Sequence, residues 1–214
     1  MAEQQIHIIS GPSGAGKDAL AEIIQAKGPQ LHRTRSWTTR PQKDGENDKY
    51  HHVTEEVFHT ALTREEFVEC AQVHGGHWYG TPRGEIEGKV NVLLEIDCQG
   101  AECVKKMYPH AHATFILPPS RAVLKARLEA RRREDEMEIH RRLLRAAIEV
   151  HSHAKGFDSW VVNGDDRGET ASQLILLINL LRRGKKPDSF YRDEAVLNRV
   201  RATFPSYASD LKFL

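Results

Sequence analysis

The sequence predicts an α/β fold: a mainly parallel sheet with helices on both faces. Three observations carry this reading. Strand-like and helix-like segments alternate along most of the chain, one strand-like run is apolar almost throughout, and a glycine-rich loop separates the first strand from the first helix. At 214 residues the chain suits one domain with small insertions and can bury a substantial core.

"QIHIIS" (5–10) is a short β-branched run that stops at glycine, and "KDALAEIIQAK" (17–27) follows with apolar residues at helical spacing. "VNVLLEID" (90–97) is nearly continuous in apolar residues, as expected of a strand covered on both faces. "ECVKKMY" (102–108) reads as helix, and "HATFILPP" (112–119) as a third strand ended by two prolines. Ser120 is a plausible N-cap for the helical "SRAVLKARLEA" (120–130). Residues 131–155 are predicted helical, charge-dense at first and then amphipathic, with a stripe of Ile139, Leu143, Leu144, Ala147, Ile148 and Ala154. "SWVVNG" (159–164) is a fourth strand and "ETASQLILLINLLRR" (169–183) a closing helix, which implies right-handed crossovers.

Two regions break this rhythm. Residues 33–88 are polar, aromatic and glycine-rich with only short strand-like pieces, as a substrate-binding insert would be. Residues 184–214 are mostly polar; "DEAVLNRVRATF" (193–204) suits a short amphipathic helix docked on its own domain or on a second subunit of a homodimer, and a floppy appendage fits equally well.

Thirty-one Lys and Arg nearly cancel thirty Asp and Glu, so bulk electrostatics give no case for nucleic acid or membrane, and an anion site must be local. Cys70, Cys98 and Cys103 are odd in number and lack close CxxC pairing, and no signal peptide is recognisable, which makes a reducing, cytoplasmic compartment the expectation. The longest apolar candidate, "LILLINLL" (174–181), falls far short of the roughly 20 residues that span a bilayer. The twelve histidines are scattered, and metal coordination by histidine is not expected.

The chemistry concentrates in "GPSGAGKD". Gly11, Gly16 and Lys17 satisfy G-x-x-x-x-G-K between a strand and a helix, the context that makes the pattern credible. In the loop Gly11, Pro12, Ser13, Gly14, Ala15 and Gly16, the backbone N–H groups, which every residue but Pro12 has, can curl around phosphates, the helix N-terminus adds partial positive charge, and Lys17 can reach the β and γ oxygens. Asp18 stands where a hydroxyl normally binds Mg²⁺. A carboxylate there strengthens the hold on the metal, repels the nucleotide when metal is absent, or is simply a favourable acid in the first helical turn.

Beyond the loop, "SWTTRP" (36–41), "KYHHV" (49–53), "FVECAQVHGGHWYGTP" (67–82), "LLEIDCQGA" (93–101), "FILPPS" (115–120) and "VVNGD" (161–165) together resemble guanylate kinase, in the family's order over about residues 5–183. The resemblance implies a P-loop kinase fold with a core at 1–32 and 89–183, a lid near 128–140, a GMP-binding insert at 33–88 and a C-terminal extension at 184–214. It implies transfer of the γ-phosphoryl of ATP to GMP, and to dGMP, giving ADP and GDP with Mg²⁺ as cofactor. It places Ser36, Glu69, Thr81 and Asp97 around guanine, and Arg40, Lys43, Tyr50 and Tyr79 around the acceptor phosphate. Lys17, Arg40, Arg131 and Arg142 would supply catalytic positive charge, the last two as clamps from the lid. Asp97 matches the second acid of the family's "LDIDxQG" and with Asp18 is the candidate metal residue; Glu95 replaces the first acid. Asn163 would contact adenine or its ribose.

Departures from the family pattern are local. Lys43 replaces a second arginine, trading a bidentate fork for a point charge. Arg131, Arg132 and Arg133 stand where Arg-Gly-Thr is common, and the segment between Arg40 and Tyr50 is slightly short. Two alternatives remain: a ribose 1,5-bisphosphate phosphokinase-like enzyme, whose loop also resembles "GPSGxGKD", and a catalytically silent guanylate-kinase-like module that binds protein partners.

Overall fold

The structure is a computed structural model that describes residues 4–42, 49–73, 76–130, 135–187 and 189–205. Lys43 and Arg131, both expected at the site, lie outside the described residues, as do Arg132 and Arg133. In chain order the elements are β1 (Gln5–Ser10), α1 (Lys17–Lys27), β2 (His32–Arg33), β3 (Ser36–Thr38), β4 (Tyr50–His52), α2 (Glu55–Thr63), β5 (Phe67–Val73), β6 (His77–Pro82), β7 (Asn91–Glu95), α3 (Cys98–Met107), β8 (His112–Leu117), α4 (Arg121–Ala130), α5 (Glu136–Ile148), β9 (Ser159–Val162), α6 (Arg167–Arg182) and α7 (Glu194–Arg201).

β1 lies at the centre of a parallel sheet of order β2-β7-β1-β8-β9. Alternation along the strands divides the core between two faces. Ile6 and Ile8 of β1, Val92 and Leu94 of β7, and Phe115 and Leu117 of β8 pack beneath α3, α4 and α5, while Ile9, Leu93, Ile116 and Val161 pack against α1 and α6. Each fully buried Ile, Leu or Phe contributes roughly 1.5–3 kcal/mol of transfer free energy. The sheet therefore holds its strand ends rigidly, and the loops after β1 and β7 inherit that precision.

Side-chain caps shift several helix starts from the sequence expectation. α3 begins at Cys98, not Glu102, because Asp97 Oδ1 accepts from the Gly100 N–H at 2.7 Å. α5 starts at Glu136 behind Asp135, whose carboxylate accepts from Glu138 N–H at 2.7 Å. The single helix expected over 131–155 instead ends at Ile148 and passes into a π-helical turn at Glu149–His153 and a 3₁₀ turn at Ala154–Gly156. Of the predicted stripe, Ile139, Leu143, Ala147 and Ala154 are buried, joined by Ala146 and Val150.

The insert is more ordered than its sequence suggests. It forms a second sheet of order β4-β3-β6-β5, with β3 and β4 parallel and the remaining pairs antiparallel. Helix α2, capped by Thr54, lays Phe58 and Ala61 on this sheet, and Phe58 stacks on Phe67 with ring centroids 4.5 Å apart.

The extension is not a loose appendage over residues 193–204. Leu197, Val200 and Phe204 are buried in the core beside α4 and α5. Arg201 Nε and Nη2 donate to the carbonyls of Val150 and His151 in the π-helical turn at 3.0 and 3.1 Å, and Thr203 Oγ1 accepts from Arg121 N–H at the start of α4. Among the described residues no helix is long and apolar enough to cross a membrane.

Candidate active site

Strand β1 ends in the glycine-rich loop at the C-terminal edge of the sheet, where α1 begins. Gly16 caps α1 in the left-handed region, φ 91°, and a Cβ there would collide with the Asn163 amide nitrogen. Asn163 is fully buried behind the loop and donates from Nδ2 to the Ala15 carbonyl at 2.7 Å. In this geometry Asn163, expected at adenine or its ribose, buttresses the loop from inside. Arg127 braces the same corner, donating to the Asn163 and Gly164 carbonyls at 2.9 and 2.6 Å. Lys17 curls over the loop, with Nζ donating to the carbonyls of Gly11 and Pro12. From the lid side, Arg142 reaches in and donates to Ser13 Oγ at 3.0 Å, with Nε on Glu138 at 3.2 Å.

Across the cleft, β3, β5 and β6 bring three expected residues into one hydrogen-bonded chain. Thr81 Oγ1, fully buried, donates to Glu69 Oε1 at 2.6 Å, so Ser36 Oγ, 3.2 Å away, donates to Thr81 in turn. Burial pushes the Glu69 carboxyl up to about 7; the Thr81 hydroxyl opposes this and the nearby Asp97 charge adds to it. Gly100 makes this approach possible, because a Cβ there would sit 3.0 Å from Glu69 Oε2 and 3.4 Å from Asp97 Oδ1. Next to this chain, Arg40 Nε donates to the Tyr79 hydroxyl at 3.1 Å and lies 5.7 Å from the Tyr50 ring centroid, and Tyr50 meets Tyr79 edge-on at 5.6 Å.

Asp18 is not alone. Arg33 Nη2 lies 2.7 Å from both Asp18 Oδ1 and Glu95 Oε2, and Lys49 Nζ lies 3.1 Å from Asp18 Oδ1 and 2.8 Å from Glu95 Oε1. Burial raises the Asp18 carboxyl, but Lys49 and Arg33 outweigh it and hold the group below the ordinary Asp range. Of the two acids in "EID", it is therefore Glu95 that stands with Asp18, whereas Asp97 turns to the Gly100 amide and towards Glu69. Neither Arg33 nor Lys49 carries a sequence signal, since an isolated basic residue is ordinarily a solvated one. A further acid, Glu149 on the π-helical turn, is held above the usual carboxylate range by burial, against the pull of Lys17, and its Oε2 has no hydrogen-bond partner among the described residues.

The donor chemistry fits Mg²⁺ that arrives with a nucleotide. Mg²⁺ typically takes one or two carboxylates and completes its shell with phosphate oxygens and water, and Asp18 and Glu95 supply two hard-oxygen acids beside the loop. Among the described residues no group of three His, Cys, Asp or Glu could hold a metal by itself.

A parallel sheet with a glycine-rich loop and lysine after its central strand, faced by a separate small sheet bearing a polar pocket, defines a phosphate-loop kinase fold. Comparison with known proteins narrows this class. A sequence model of guanylate kinase matches residues 3–179. A guanylate kinase of Thiobacillus denitrificans is 39% identical over 183 residues, covering 83% of this chain and 86% of that protein. One from Nitrosomonas europaea is 39% identical over 198 residues, 90% of this chain and 96% of its own length. The crystal structure of guanylate kinase from Anaplasma phagocytophilum superposes with a TM-score of 0.64 at 28% identity, over 89% of this chain and 90% of that one. The chain belongs to the guanylate kinase family.

Proposed function

We propose that the protein transfers the γ-phosphoryl of ATP to GMP, and to dGMP, giving ADP and GDP, and that the residues described above divide this work between two half-sites. The protein is an ATP-dependent nucleoside monophosphate kinase. The observation that carries the residue assignment is the Ser36–Thr81–Glu69 chain facing a phosphate loop: its terminal carboxylate accepts the paired N1–H and N2–H₂ donors of guanine, an edge that adenine lacks.

Asp97 stands by the same edge, and Arg40, Tyr50 and Tyr79 take the acceptor phosphate, with Lys43 proposed to join them. Loop amides from Gly11 to Gly16 cradle the donor phosphates, Lys17 releases the loop carbonyls to reach the β and γ oxygens, and Arg142 moves from Ser13 to the transferred group. Arg131 is proposed as a second clamp from the lid. No general base is required, because the acceptor phosphate is already ionised near neutral pH; catalysis is alignment and charge neutralisation. Mg²⁺, held by Asp18 and Glu95, would supply further neutralisation of phosphate charge. Free Cys70, Cys98 and Cys103 support a reducing, cytoplasmic setting.

The test is a panel of nucleoside monophosphates, with ribose 1,5-bisphosphate as an added acceptor, under ATP and Mg²⁺. GMP should be the best acceptor; no GDP at saturating substrates would overturn the reading.

A further inference from the structure

An acid one residue after the loop lysine is electrostatically misplaced in a site for polyphosphates. Asp18 is nearly half open to solvent at 46% side-chain exposure, so a ligand in the cleft would feel its charge, whereas Glu95 is enclosed at 8%. Both acids are bridged twice, by Arg33 from β2 of the five-stranded sheet and by Lys49, just before β4 of the four-stranded sheet of the insert. Two negative and two positive charges close on each other within 3.1 Å, and the Lys49 ammonium also lies 5.4 Å from the ring centroid of Tyr50 in the acceptor half-site.

We propose that Arg33 and Lys49 are positioning residues of the nucleotide site: with Asp18 and Glu95 they form a charge-neutral cluster that lets the loop bind a polyphosphate despite the acid at position 18. Lys49 makes that balance depend on the insert, so the donor half-site is electrostatically complete only with the acceptor half-site folded against it. The ligand class rests on the kinase reading; the cluster rests on the ion pairs alone.

The experiment is a double-mutant cycle read by calorimetric binding of ADP in EDTA, with the thermal midpoint reporting folding. Lys49→Met leaves a net negative charge beside the loop and should weaken ADP about tenfold, the effect of one unit charge at roughly 6 Å in an effective dielectric of about 40. Lys49→Arg should keep parental affinity, and adding Asp18→Ser to Lys49→Met should restore most of the loss. Asp18→Ser alone should tighten metal-free ADP, and this variant decides the matter if Lys49→Met fails to fold. A folded Lys49→Met with unchanged affinity, a double variant no better than Lys49→Met, or an Asp18→Ser that does not tighten ADP would each overturn the proposal. GMP phosphorylation by the parent is assayed in parallel: absent GDP sinks the kinase reading while the ADP cycle still judges the cluster.

Discussion

Glu69 makes guanine binding depend on pH in a direction the geometry fixes. Its carboxyl is pushed up to about 7 by burial, and only the ionised form can accept both donors of the guanine edge. The apparent dissociation constant for GMP should therefore rise as pH falls through 7, by about elevenfold at pH 6 and by only about a tenth at pH 8, from single-site linkage. Stability moves the other way. A carboxyl whose folded value lies above its unfolded one favours the fold most at low pH, and that contribution is lost as pH rises from the ordinary Glu range through 7. Ionising Glu69 in its enclosed site thus costs about 3 kcal/mol at pH 8. Glu69→Gln should raise the thermal midpoint at pH 8 while weakening GMP, because its amide presents donors where the guanine edge needs an acceptor. The assay is calorimetric titration of GMP from pH 6 to 8.5 in parent and Glu69→Gln, the variant reporting the ligand phosphate's own ionisation near about pH 6. A flat parental profile, or an inflection near 7 that survives in Glu69→Gln, would refute the reasoning.

Three other expectations follow from the structure. Asn163→Ala removes the amide that holds the Ala15 carbonyl, and should raise the ATP Michaelis constant about tenfold with little change for GMP; equal effects on both would count against a loop-buttressing role. His7 is buried with both ring nitrogens unpartnered among the described residues, and burial, then the charges of His112 and Arg182, lower it to about 4. Its folded value lies below the unfolded one, so stability is full above about pH 6.5 and falls towards pH 4: the parent should lose about 2 kcal/mol between pH 7.5 and 5 that His7→Leu does not lose, measured by denaturant unfolding. Leu197→Ala should destabilise the fold by about 2–4 kcal/mol, and an unchanged urea midpoint would show that α7 is not part of the core.

The loop and the core strands were legible because their signals are local. G-x-x-x-x-G-K sits within seven residues, and the apolar run at 90–97 reports a strand buried on both faces. β2 was invisible because two residues, His32 and Arg33, carry no period. β3 and β4 have three residues each, too short for alternation to register, and gain stability from pairing across the insert. The Asp18 cluster was illegible for a different reason: its partners lie 15 and 31 positions from Asp18 in sequence, and only the β2–β7 pairing and the docked insert bring them together. The contact of Asn163 with the Ala15 carbonyl is not legible in sequence because the residue type suits either a ligand or a backbone contact. The docked extension shows the same limit, since amphipathicity in 193–204 does not name the surface it covers.

The central claim is that the Ser36–Thr81–Glu69 chain and the phosphate loop serve one reaction, with guanine selected by Glu69. The most direct measurement is the ratio of kcat/KM for GMP over AMP, with ATP and Mg²⁺, in parent and Glu69→Gln. The account predicts strong preference for GMP in the parent and a collapse of that ratio in the variant, with the ATP Michaelis constant preserved. A ratio that survives Glu69→Gln, or a parent that does not distinguish GMP from AMP, would contradict it.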